Sequence, residues 1–273
     1  MKGGRLGRAG GGRRLGRLSL FVCGLLLTAC GLPSSGRAVE PEWKIVKGKH
    51  FVVRHTGPES AAETMLAEAE RCYRDIASDL GYTRFEGYWL WDKRVAILIY
   101  SNAPAFAEAC DAPAWAVGRA NYERREIATF AGSGASFSTH VLPHEIAHLI
   151  LSDFVGGRRL PLWLQEGVAQ WEQGRKAVPA KRLPDPMPWA ELAAADVRRA
   201  SDPRFVARFY SQAASVVGFL VSVYGGERFG NFCRLLRDGK TVEAAFAEAY
   251  NGELKTLGDL ERAWIQWEGA SKP

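Results

Sequence analysis

The sequence predicts an α+β fold in which a lobe with a small mixed sheet precedes a helical lobe. Two observations carry that expectation. The β-rich runs WKIV, HFVVRH, RVAILIY and EIATF all lie before residue 131. From residue 138 onward, helical apolar spacing dominates. Strands followed by helices, with no internal repeat, make the segregated class rather than an alternating α/β one.

The chain opens on a leader. The first 17 residues are rich in Gly and Arg, and Leu18 to Ala29 is a mostly apolar run of 12. A bilayer-spanning helix needs about 20 such residues. A basic stretch before a short apolar one reads as a secretory signal peptide over 1–29. Leu27-Thr28-Ala29-Cys30 resembles a bacterial lipobox. That likeness implies cleavage before Cys30 and lipidation of its thiol, which holds a protein on a membrane without spanning it. An ordinary signal that happens to contain Cys is the alternative. Gly31, in place of Asp, implies the outer membrane, so the expected location is the bacterial cell envelope. Arg13-Arg14 leaves open whether export is general or twin-arginine. Residues 30–42, rich in Gly, Pro and Ser, read as a flexible tether.

The net charge of +6 comes from this leader. Residues 1–29 carry Lys2, Arg5, Arg8, Arg13, Arg14 and Arg17 and no acid. With those six removed from 36, 30 basic residues face 30 acidic ones. The body has no basic excess, and nucleic acid is not an expected partner.

The body, 43–270, divides into an α+β lobe (43–157) and a helical lobe (158–270). Trp43 to Arg54 reads as a strand or hairpin. Pro58 to Leu80 has helical spacing (Met65, Leu66, Ala69, Tyr73, Ile76, Leu80) and stops at Gly81. Arg94 to Tyr100 is long enough for one buried strand. Glu126 to Phe130 is another, closed by Gly132-Ser133-Gly134, and it offers an edge on which an extended peptide could lie. Helices are expected over 138–155, 161–173, 189–199, 204–224, 227–237, 241–249 and 256–268. Cys72, Cys110 and Cys233 remain beside Cys30. Either Cys72 pairs with Cys110 or these are buried free thiols.

The chemistry concentrates in His144-Glu145-Ile146-Ala147-His148. Two His four apart stand about 40° apart on one helix face, so both imidazoles can reach one ion. Glu145 is turned aside, placed to touch a metal-bound water without taking a coordination site. Leu142, Ile146, Leu149 and Ile150 fall on the opposite face and give the helix an apolar back. A catalytic zinc site usually takes three protein ligands and keeps a fourth position for water. The metzincin pattern would put Gly and His at the positions of Leu151 and Phe154, and no His follows 148, so that class is excluded. The next candidate is a carboxylate on the following helix, and PLWLQEGVA supplies Glu166. Leu164, Val168 and Trp171 lie opposite it, while Gly167 and Ala169 keep its surroundings small.

HEIAH followed 18 positions later by the Glu of WLQEGVA resembles the gluzincin metallopeptidases, the thermolysin-like clan. It is most similar to the peptidase MA-like domains of bacterial envelope proteins. Trp115-Ala116-Val117-Gly118, Tyr210-Ser211-Gln212-Ala213 and the Leu257 to Trp267 ending extend the likeness over most of 43–270. The resemblance implies a zincin-like catalytic domain that binds one Zn²⁺ through His144, His148 and Glu166, with Glu145 as general base. It also implies an oxyanion donor from the helical lobe, for which Tyr210 is the candidate. Tyr210 equally fits a core stripe with Ala214, Val217, Val221 and Tyr224. His140, one turn before His144, is either a supporting group or a helix-start residue. Gln170 stands where the clan often has a carboxylate supporting a zinc ligand. The Trp residues, among them Trp89, Trp91, Trp163 and Trp171, read as packing rather than carbohydrate binding. His50 and His55 flank a strand without a nameable partner.

The chain lacks the Gly-x-Met-Glu-Asn signature of the aminopeptidase branch, since its Met residues are 1, 65 and 187. The expected function is therefore a zinc endopeptidase acting on protein or peptide, tethered to the membrane by its lipid anchor. The alternatives are an inactive zincin-like binding or assembly lipoprotein, and a zinc amidase acting on cell-wall peptides.

Overall fold

Alternating burial builds the first lobe. In the computed structural model, strands β1 (Lys44–Lys47), β2 (Phe51–His55), β3 (Val95–Tyr100), β4 (Arg119–Asn121) and β5 (Glu126–Phe130) form one mixed sheet in the order β1-β2-β3-β5-β4. The structure describes residues 42–82, 89–173, 183, 185–197 and 200–270. The expected signal peptide, Arg13-Arg14, Cys30 and all of the tether but its last residue lie outside them. β2, β3 and β5 run parallel, and β1 and β4 are the antiparallel edges. In β3 the residues Val95, Ile97 and Ile99 turn to the main core while Ala96, Leu98 and Tyr100 take the other face.

Helix α1 (Glu59–Asp79) covers the first of those faces: its Tyr73 ring meets Phe51 edge-on. Helix α2 (Ala103–Cys110) covers the second, with Phe106 against Tyr100 and Phe130. Sequence reading missed α2 because it buries only Phe106. Its start is conventional, Asn102 accepting a hydrogen bond from the Ala105 N–H. Cys72 on α1 and Cys110 on α2 therefore lie on opposite sides of the sheet. Neither is disulfide-bonded, nor is Cys233, so the disulfide alternative is not realised. His50 and His55 prove structural. The His50 ring meets Glu70 at 2.6 Å and stacks on Tyr73, and His55 Nδ1 donates to the Gly57 carbonyl. Burial pushes the Glu70 carboxyl up, but hydrogen bonds from the His50 ring and backbone outweigh that and hold it below its ordinary value.

The rest is helical: α3 (Gly134–Ser136), a π-helical turn Phe137–Val141, α4 (Leu142–Phe154), α5 (Leu162–Gln173), α6 (Trp189–Ala194), α7 (Pro203–Tyr224), α8 (Gly226–Arg237), α9 (Val242–Ala249) and α10 (Leu257–Ala270). The helix expected over 189–199 ends at 194, where Ala195 turns to extended backbone. By length and composition α7 could span a bilayer, but more than half of its apolar stretch is buried inside the protein. It is the helix on which α5 rests. Trp89, Trp163 and Trp171 are core residues, as the packing reading has it, whereas Trp91 is exposed.

Candidate metal centre

Helix α4 begins directly after the π-helical turn, with Pro143 in its first turn, where a missing N–H costs little. The π turn inserts an extra residue and shifts the helical phase. His140, read as either a supporting group or a helix-start residue, lies in that turn, exposed and bonded to Thr139 Oγ1, which agrees with the second reading. Beyond the turn the phase is the one the sequence implies. Ile146 and Ile150 pack into the core, and α5 crosses the opposite face, so even the polar front is covered.

The crossing brings three ligand atoms together. His144 Nε2 and His148 Nε2 are 3.2 Å apart. Glu166 Oε2 lies 3.9 Å from the first and 3.7 Å from the second. Ligand atoms about 2.0–2.2 Å from a shared tetrahedral centre stand about 3.3–3.6 Å apart; the three separations here, 3.2, 3.7 and 3.9 Å, bracket that range, so the set could close on one metal ion with shifts of a few tenths of an ångström, and two imidazoles with a carboxylate are donors that suit zinc. Among the described residues this is the one cluster of three or more His, Cys, Asp or Glu able to hold a metal.

Electrostatics favour the same use. Burial, and the neighbouring His148, hold the His144 imidazole below its ordinary value, so this ring is a neutral donor. Burial pushes His148 down too, but the Glu166 carboxylate, 3.7 Å from its Nε2, outweighs it and raises it. A bound metal would take the place of a proton on that ring. Gln173, two turns past Glu166, also acts on His144; His144 Nδ1 makes no short hydrogen bond, so this contact is a longer one. Gln170, where a supporting carboxylate was sought, is half-buried on the same helix.

Close approach sets the position of Glu166. A β-carbon on Gly167 would stand 2.5 Å from the Ala213 carbonyl oxygen and 2.8 Å from Val217 Cγ2. Only Gly lets α5 lie this near α7. Gly167→Ala is expected to cost about 1–3 kcal/mol through overpacking and to lower zinc occupancy by displacing Glu166. Denaturant unfolding and metal analysis of the two proteins check both effects.

Glu145 is 2% exposed and outside the triangle of ligand atoms. Tyr122, in the turn between β4 and β5, donates its hydroxyl hydrogen to Glu145 Oε2 at 2.5 Å, and its ring meets His148 edge-on. Sequence reading missed this residue. No spacing rule links position 122 to 145; only the pairing of β4 with β5 does. Tyr210 is half-buried on α7, edge-on to Phe209 and packed against the core one turn before Ala213. The stripe reading accounts for that packing. EIATF is not an edge: β5 pairs with β3 on one side and β4 on the other. The free edge there is β4, only three residues long and without a periodic pattern to reveal it.

The sequence model of the Peptidase MA superfamily matches residues 89–267, from Trp89 beside β3 to Trp267 in α10. It takes in the whole His144–His148–Glu166 cluster and leaves β1, β2 and α1 outside. No curated protein matches the chain.

Proposed function

The chain belongs to the Peptidase MA superfamily, and from that premise we propose that it is a zinc-dependent endopeptidase held to the bacterial envelope by a lipidated Cys30. One observation carries the reading: His144, His148 and Glu166 converge beside a buried carboxylate, Glu145, that takes no part in the convergence. Bound zinc supplies a water acidified towards a pKa of about 7 and a polarised carbonyl. Glu145 accepts the proton of the attacking water and later returns it to the leaving amine nitrogen. Tyr210 donates a hydrogen bond to the oxyanion.

Zinc-loaded wild type and Glu145→Gln, digested against an unbiased peptide library, test the reading. Cleavage inside peptide chains by the wild type alone is the expected result. One observation favours a second reading. His144, Glu145, His148 and Glu166 are each at most 9% exposed, so they present little surface to a substrate, and a zincin shell kept for binding or assembly needs none. Identical product patterns from the two proteins would select that reading.

A further inference from the structure

The turn that carries Tyr122 is fastened to the HEIAH helix at two places. At one, the Tyr122 hydroxyl meets Glu145 Oε2. At the other, Arg125 Nη1 donates to Asp153 at 3.0 Å, two helical turns further along α4. Trp89 Nε1 donates to the same carboxylate at 2.7 Å, and the Arg125 guanidinium lies 5.2 Å over the Trp89 ring. Arg125 closes the turn with left-handed backbone (φ 54°), and its N–H reaches the Tyr122 carbonyl at 3.3 Å. The turn is thus held in place independently of the contact Tyr122 makes with Glu145.

We infer that Tyr122 is a positioning residue for the reaction proposed above: its hydroxyl fixes one oxygen of the Glu145 carboxylate and presents the other to the attacking water. The inference rests on the metallopeptidase reading. A carboxylate has two equivalent oxygens, and its terminal torsion is broad and loosely held. A charge-assisted hydrogen bond from a rigid ring restricts that torsion. The same ring packs edge-on against His148 at 5.8 Å between centroids, so a single side chain sets the base relative to a metal ligand. Tyr122 keeps its proton throughout. The water's proton passes to the other Glu145 oxygen, and from there to the leaving amine.

Tyr122→Phe keeps the ring and deletes one oxygen. In the zinc-loaded protein kcat falls about ten- to a hundredfold, the range for losing a hydrogen bond to a charged group, while KM stays within about threefold. Zinc content is unchanged. A measurement free of turnover accompanies it: calorimetric binding of acetohydroxamate, which coordinates zinc and shares a proton with the general base. Its Kd weakens about tenfold in Tyr122→Phe, and by less than about twofold when the change is made in a Glu145→Ala background, because the two side chains act as one unit. An unchanged kcat and Kd would overturn the inference, as would an equal loss in the Glu145→Ala background. A wild type that binds the hydroxamate but cuts no peptide would sink the peptidase reading instead, and the hydroxamate comparison would still decide the role of Tyr122.

Discussion

Glu145→Gln is expected to lower kcat by about a thousandfold, within the range ascribed to a positioned general base, while the protein keeps its zinc. Gln has the shape of Glu, and its amide oxygen can still accept from Tyr122, so the 2% exposed site stays packed. What disappears is the capacity to take a proton. Glu145 lies outside the His144–His148–Glu166 triangle, so metal content is not expected to follow activity down. Zinc analysis and kcat measured on one preparation separate the two quantities. Activity that survives in metal-loaded Glu145→Gln would remove this residue from the chemistry.

The second large effect concerns metal rather than turnover. Glu166→Ala leaves two imidazoles facing each other at 3.2 Å without the carboxylate that stands 3.9 and 3.7 Å from them. Changes to groups that merely support zinc ligands cost about 10–100-fold in affinity. Loss of a ligand is expected to exceed that, and chelator competition will read it as a fall of more than about a hundredfold. Glu166→Gln retains a weak oxygen donor without the charge and is expected to lie between. Equal affinity in wild type and Glu166→Ala would show that the carboxylate does not bind the metal.

How far the sequence discloses all this depends on which contacts are local. HEIAH is local, because a helix fixes the angle between positions 144 and 148 whatever surrounds it. Glu166 was legible for a related reason: small neighbours at 167 and 169 advertise a close helix crossing, and Gly167 does lie against the Ala213 carbonyl. The helical lobe followed from apolar spacing alone. Other features depended on pairings distant in the chain. β4 has three residues and no alternation, so β5 was read as an edge when it is an interior strand. Tyr122 reaches Glu145 only through that unseen hairpin. His140 faces solvent because one π turn shifts the helical phase, and nothing in the letters FSTHV announces it. Glu70 lies 20 residues from His50, beyond any periodicity that would link them.

The central claim is that two adjacent helices direct two imidazoles and one carboxylate at a single ion. Protein purified from zinc-replete medium and crystallised, with diffraction recorded on both sides of the zinc absorption edge, tests it directly. One anomalous peak per chain is expected, within bonding distance of His144 Nε2, His148 Nε2 and a Glu166 oxygen. A zinc-replete protein with no peak there, or with the Glu166 carboxylate turned away from the metal, would contradict it.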